Sequence, residues 1–301
     1  MTDQRPGVAP FTERTPRVVA ARRLTTRSGR DEAGRFLVEG AQAVREALDW
    51  AALAPGRMPE LFVTEAARAR HPELVDRAEL AGARISVVTE RAAAACSETV
   101  TPQGVIAVCT QLTQPLEAAL TGAARLVAVL VGVADPGNAG TVLRVADAAG
   151  ADAVVFAGEA VDPHNGKCVR SSTGSIFHLP VVRGRDTPAV LRACRATGLW
   201  VLAADGRART ALDEAGDQLG APAAWLFGSE AHGLPETTLG EADVTIKVPI
   251  YGAAESLNLG TAAAVCLYAS AMAQRTRNRG LMVDPTSDHL GSTSVPHGTP
   301  E

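Results

Sequence analysis

Along most of the chain, short runs of consecutive apolar residues alternate with stretches in which apolar residues recur every three or four positions. The first pattern predicts strands and the second helices. Phe36-Leu37-Val38-Glu39-Gly40 reads as a short strand, and Ala41 to Leu53 as a helix with Val44, Ala47 and Leu48 on its apolar stripe. Leu61-Phe62-Val63 is a further strand, followed by helices from Glu65 to Arg70 and Pro72 to Ala81 and by strands at Ile85-Ser86-Val87-Val88 and Gly104 to Cys109. Gln111 to Ala124 is a polar connection with a short helix, the expected boundary between two units. Leu126 to Val131 is then uninterruptedly apolar, as a strand buried on both faces of a parallel sheet should be. Similar runs recur at Ala153 to Phe156, Trp200 to Ala203, Ala223 to Phe227 and Val244 to Val248, with helical stretches at Thr141 to Ala149 and Pro188 to Ala196 and an alanine-rich helix at Leu259 to Gln274. The alternation predicts an α/β fold with a mostly parallel sheet, whose ligand sites lie in the loops at the carboxyl ends of its strands.

Composition adds a division of the 301 residues. At roughly 100–200 residues per domain two domains are expected: a partly disordered basic arm over 1–30, a smaller α/β domain over 31–113, a larger one over 122–283, and a disordered Pro/Gly/Ser/Thr-rich tail over 284–301. Lysine and arginine number 29 against 33 Asp and Glu, a net charge of −4, which argues against a partner held by bulk charge alone. The average hides a gradient. Residues 1–35 hold eight arginines and four acids, 8 − 4 = +4, so the remainder carries −8. A basic arm of this kind is either a solvated terminus or a nucleic-acid contact. No apolar run approaches the roughly 20 residues of a spanning helix, and a cytoplasmic protein without a membrane partner is expected. The five cysteines stand singly, which predicts buried free thiols and no metal site.

Three loops carry the candidate chemistry. The first, Asp135 to Arg144, follows the first strand of the larger unit; it has neither Lys-Ser/Thr for a phosphate cradle nor the glycine fingerprint of a dinucleotide site, and a helix is expected to start near Gly140. The second, Leu226-Phe227-Gly228-Ser229-Glu230-Ala231-His232-Gly233, puts a carboxylate between two glycines at a strand end. It lacks the G-x-S-x-G of a serine hydrolase, and His232 reads as a local hydrogen-bonding residue. The third, Pro249 to Asn258, precedes the last helix, where Ser256 and Asn258 suit an N-cap. Each alone could be an ordinary strand-to-helix turn.

Together and in this order, the loop with Asn138 and Arg144, the Phe227-Gly228-Ser229-Glu230 stretch and Val248-Pro249 with Ser256-Leu257-Asn258 resemble the SpoU, or TrmH-type, RNA ribose 2′-O-methyltransferases of the SPOUT superfamily. The resemblance covers about residues 126–275. Lys167 to Ser175 is similar to the family's less specific loop between the first and second motifs, and Phe36 to Gly40 resembles the start of its optional N-terminal RNA-binding domain.

The resemblance implies a C-terminal α/β domain threaded as a trefoil knot, a smaller N-terminal α/β domain that captures RNA, S-adenosylmethionine as cofactor, and a homodimer. It implies catalytic roles for Arg144, Asn138, Glu230, Ser256 and Asn258, and a cofactor pocket from Gly228, Val248, Ile250, Leu257 and Leu226. Arg22, Arg23, Arg27, Arg35 and Arg170 are the expected RNA contacts. Arg144 either activates the 2′-hydroxyl or, because a guanidinium is a poor base, stabilises a phosphate or developing alkoxide. The extra N-terminal domain favours 23S ribosomal RNA as substrate, with transfer RNA second; a non-catalytic RNA-binding relative is the reading from another class.

Overall fold

The computed structural model describes residues 9–281. The tail over 284–301 and the first eight residues of the basic arm lie outside them. Two sheets divide the strands. The first contains β1 (Arg35–Glu39), β2 (Glu60–Thr64), β3 (Arg84–Val88) and β4 (Val105–Thr110) in the order β1-β4-β2-β3. Its β1–β4 and β2–β4 pairs are antiparallel and its β2–β3 pair parallel. The second contains β5 (Leu126–Val131), β6 (Ala153–Ala157), β7 (Val181–Gly184), β8 (Trp200–Ala204), β9 (Thr210–Ala211), β10 (Ala223–Phe227) and β11 (Val244–Lys247) in the order β7-β6-β5-β10-β8-β11-β9. Every pair in it is parallel.

The continuous apolar runs are the inner strands of this sheet, and all residues of β5, β6 and β10 are buried. Helices cover its faces. The last of them, Leu259–Leu281, packs on the helix Pro136–Ala149 and on β10. There the indole N–H of buried Trp225 donates to Ser270 Oγ at 2.9 Å, so the largest core side chain leaves no polar atom unsatisfied. The five cysteines are buried and unpaired, and burial pushes the Cys96 and Cys194 thiols up to about 11.

Several elements differ from the sequence reading. The described part of the arm holds helices that no pattern announced: Pro16–Arg23 and Arg27–Ala33, with Val18, Ala21 and Leu24 buried against Leu37 and Phe62 of the first sheet. Their apolar residues are too few to show a periodic stripe, so only the tertiary contact reveals them. The same is true of the helix Glu90–Ala95 and of the short edge strands β7 and β9. The stretch from Lys167 holds a helix, Gly166–Ser171, rather than a loop alone. The helix expected near Gly140 begins at Pro136, because Asp135 already caps it.

The two sheets share one apolar cluster. Phe36, Val44 and Ala47 belong to the same buried group as Cys168, Ile176 and Phe177, and Trp50 lies 5.5 Å from the Phe177 ring. A buried ion pair reinforces this junction. Arg30 Nε donates to Asp162 Oδ2 at 2.7 Å, and Arg30 Nη1 donates to the carbonyls of Leu24 and Thr25, both at 3.0 Å. Burial alone would raise the Asp162 carboxyl, but hydrogen bonds from His164 and Arg30 hold it well below the usual carboxylate range. Arg30 is thus spent on the fold, not left as surface charge.

Candidate active site

The site is assembled at the carboxyl ends of β5, β10 and β11. After β5 the chain turns at Asp135, whose Oδ1 accepts the Asn138 backbone N–H at 2.8 Å and so caps the helix Pro136–Ala149. Pro136 at the first helical position has no N–H to satisfy and a backbone angle suited to the start of a helix. This places Asn138 in the first turn. Two turns further along, Arg144 stands exposed on the same helix, with no hydrogen bond or ion pair among the described residues.

After β10, the segment Ser229 to Gly233 folds into a tight hairpin, with Ser229 N–H donating to Gly233 O at 3.1 Å and Gly233 N–H to Ser229 O at 2.8 Å. The hairpin closes over Gly228, where a Cβ would overlap the backbone of Gly233 and Leu234, so only glycine fits. His232 N–H donates to Ser229 Oγ, which makes this residue part of the hairpin. The fold-back presents Glu230 towards the first loop. Asn138 Nδ2 donates to Glu230 Oε1 at 2.8 Å.

The third loop has to return. β11 is separated from β5 by β8 and β10, yet Asn258 at the end of the loop donates from Nδ2 to Asn138 Oδ1 at 3.0 Å. Asn258 Oδ1 accepts the N–H of Gly260 at 2.9 Å, so this side chain caps the last helix and joins the site together. A Cβ at Gly260 would lie 2.6 Å from Thr141 Cγ2, and the glycine lets the two helices meet beside the site.

Asn138 is therefore the centre of a chain of hydrogen bonds, Glu230–Asn138–Asn258, whose members lie 92 and 120 residues from it in sequence. Its carboxamide is oriented by the pattern, oxygen towards Asn258 and nitrogen towards Glu230. Arg144 and Ser256 are not bonded to this chain among the described residues. Ser256 lies on the exposed third loop next to Leu257, and Ile250 and Leu257 expose 37% and 36% of their surface. Leu226 and Gly228 are buried at the end of β10, and Val248 is half-buried after β11. No group of three His, Cys, Asp or Glu suited to a metal ion occurs among the described residues.

The expected RNA contacts separate into two groups. Arg22, Arg23, Arg27 and Arg35 are exposed. Arg170 instead faces Glu39 at 3.6 Å and Glu98 at 3.8 Å, across the junction of the two sheets. The sequence reading passed over two residues that touch the site. Asp135 had a legible signal, an acidic residue before proline at a helix start. Lys167, whose Nζ donates to Asp135 Oδ2 at 2.7 Å, opens the stretch that resembles the loop between the first and second motifs, but nothing in the sequence pairs it with Asp135.

Comparison with known proteins agrees with this arrangement. Residues 125–268 match the SpoU rRNA Methylase family, and residues 15–107 match the MRM3-like substrate binding domain. The chain is 37% identical over 251 residues to the Bacillus subtilis 23S rRNA (guanosine(2553)-2′-O)-methyltransferase RlmP, covering 82% of this chain and 92% of that protein. It is 29% identical to the Bordetella pertussis 23S rRNA (guanosine-2′-O-)-methyltransferase RlmB, covering 72% of this chain and 90% of the relative. Among solved structures, the AdoMet-bound rRNA methyltransferase from Sinorhizobium meliloti superposes with a TM-score of 0.75 at 30% identity, covering 87% of this chain and 97% of the other. With the motif loops brought together at one sheet edge and likeness extending over most of both chains, the protein belongs to the SpoU rRNA methylase family.

Proposed function

We propose that the chain transfers a methyl group from S-adenosylmethionine to a ribose 2′-hydroxyl of 23S ribosomal RNA in the cytoplasm. The observation that carries this reading is the Glu230–Asn138–Asn258 chain, which ties three separate strand ends into one polar centre at the start of the helix that carries Arg144. The relatives' names supply the substrate class.

The residues present suit the cofactor. Ile250 and Leu257 leave apolar surface uncovered in loops that end a buried sheet, as a rim for an adenine would. Leu226, Gly228 and Val248 bring backbone close to the same edge. The cofactor supplies a methyl made electrophilic by its sulfonium. This chain's part is alignment and charge. Asn138, held from both sides, fixes the loops against one another, and Glu230 adds a carboxylate to the same polar centre. Ser256 adds a hydroxyl on the third loop. Arg144 has no carboxylate partner among the described residues, and a guanidinium is a poor base. It serves as an electrostatic stabiliser of the oxygen losing its proton, or of the neighbouring phosphate, in preference to a base.

Capture of RNA falls to the 31–113 unit with the preceding arginines, and catalysis to 122–283. We also propose a homodimer. Val265, Tyr268 and Met272 form an exposed stripe on the last helix, and Tyr268 Oη donates to Ala148 O at 3.3 Å, so the stripe borders the helix of Arg144. Light scattering at micromolar concentration tests it, and a monomer refutes it.

The deciding experiment is transfer of tritiated methyl to total RNA from a strain lacking the gene, followed by mapping of the labelled nucleotide. Label on a ribose of 23S RNA is the expected result. Label confined to transfer RNA would overturn the substrate, and no label in any RNA the activity.

A further inference from the structure

Asp135 uses its two carboxylate oxygens for different partners. Oδ1 accepts the Asn138 N–H at 2.8 Å and Oδ2 accepts Lys167 Nζ at 2.7 Å. Both bonds, the lysine's first, hold this carboxyl below the usual carboxylate range. The lysine reaches across the turn rather than around it. A Cβ at Gly137 would sit 2.9 Å from Lys167 Cε and 2.8 Å from Asp135 Oδ1, so a side chain there would push on both ends of the pair.

The platform that carries Lys167 is itself braced. Asn165 Oδ1 accepts the Lys167 N–H at 2.9 Å, starting the helix Gly166–Ser171. Ser171 Oγ lies 3.3 Å from Pro136 O, and Gly140 packs so closely on Cys168 and Ser171 that a side chain there would overlap them. Arg170, one residue before Ser171, faces Glu39 and Glu98 of the first unit. The short helix therefore touches the cap of the Asn138 helix on one side and the N-terminal unit on the other.

We propose that Lys167 is a positioning residue for methyl transfer: by holding Asp135 in its capping geometry it fixes the first turn of the helix, and with it the Asn138 carboxamide between Glu230 and Asn258. The inference rests on the methyltransferase reading of the site. Among the described residues Lys167 Nζ bonds to Asp135 and not to Asn138, Glu230 or Asn258. A lysine with more than half of its side chain exposed at the rim of the site could instead meet an RNA phosphate, and the two roles leave different kinetic signatures.

The test uses the full chain with Lys167→Met, Lys167→Arg, Gly137→Ala and the double variant Lys167→Met/Gly137→Ala. The expected result for Lys167→Met is a fall in kcat of about 10-fold, the scale of a small misplacement of aligned groups. The KM for RNA and its salt dependence stay as in the unchanged chain, and S-adenosylmethionine binds more weakly by calorimetry. Lys167→Arg, which can still donate to Asp135, recovers most of the loss. Gly137→Ala reproduces it by displacing the stem, and the double variant is no worse than Lys167→Met, because both changes break one interaction. Unchanged kcat in Lys167→Met overturns the inference, as does a loss confined to the RNA KM with a flatter salt dependence, or full additivity in the double variant. Should Lys167→Met melt too low to assay, Lys167→Arg and Gly137→Ala read the same interaction. If the unchanged chain methylates no RNA, the proposed function fails, while the cofactor affinities still report whether Lys167 orders the site.

Discussion

The two units use the same ingredients, short apolar strands alternating with helices, and differ in how the strands are paired. In the four-stranded sheet β4 runs antiparallel to β1 and β2 while β3 runs parallel to β2, so the loop after β4 leaves at the end opposite to those after the other three strands. In the seven-stranded sheet every strand runs the same way, and the loops after β5, β10 and β11 emerge at one edge. There Asn138, Glu230 and Asn258 meet although 120 residues separate the first and last. In the larger unit the shared strand direction is what lets loops so far apart in sequence build one site. The units also spend charge differently. In the first, Arg22, Arg23, Arg27 and Arg35 remain exposed while Arg30 is buried at the junction. In the second, Arg144 stands exposed on the helix that Asn138 begins, without a partner among the described residues.

This contrast can be broken most sharply at Arg144. Arg144→Ala is expected to lower methyl transfer by at least about 100-fold, the scale seen on removing a preorganised charge-stabilising donor. Cofactor affinity by calorimetry should change little, since Arg144 is not bonded to the Asn138 chain. Near-normal turnover would move the chemistry away from this helix.

Next in size is the junction. Arg30→Met leaves Asp162 buried without its main cation, and the cost expected is about 3–5 kcal/mol, read as a lower midpoint in urea unfolding. The double variant Arg30→Met/Asp162→Leu should recover part of it. A change below about 1 kcal/mol in the single variant would mean that the two units are not tied by this pair.

A smaller effect separates capture from catalysis. Converting Arg22, Arg23 and Arg27 to glutamine should weaken RNA binding and flatten its salt dependence, by about 0.7–0.9 in log–log slope for each phosphate no longer neutralised, at unchanged cofactor affinity. Substitution is the right tool. Deleting residues 1–35 would also remove Arg30 and the buried Val18, Ala21 and Leu24, and so confound binding with folding. An unaltered salt slope would exclude this face from the RNA path.

The smallest effect lies at His178, where Nδ1 is 2.8 Å from Asp147 Oδ2 and Nε2 3.2 Å from Glu46 Oε2, one carboxylate from each unit. Partial burial opposes protonation, but the two carboxylates prevail and raise this imidazole above its ordinary value. A raised folded-state value means that the contribution is complete below the unfolded value, near 6.5, and disappears as pH rises through the folded one. Stability should therefore fall slightly across that interval in the native chain and not in His178→Gln. The side chain is 43% exposed, so solvent screens the effect. Identical pH profiles for the two proteins would refute it.

Much of this was readable one residue at a time. The run Leu126 to Val131 had to be a doubly covered strand because nothing in it tolerates water. The three motif loops stood at strand ends because Gly228 and the capping residues Asp135 and Asn258 stop strands and start helices locally. The edge strands β7 and β9 escaped, since four and two residues give no period, as did the two helices before β1, whose stability comes from packing on Leu37 and Phe62.

The sequence by itself determined the alternation of strands and helices, the parallel character of the larger sheet and the placing of the three motif loops at the ends of its strands, because these follow from local hydropathy, capping and motif chemistry. Only the tertiary structure decided that Asn138 is held between Glu230 and Asn258, that Lys167 steadies the cap beneath it, and that Arg30 and Arg170 serve the junction. Those assignments depend on which groups meet across long separations in sequence, and a side chain's charge carries no record of the partner that will neutralise it.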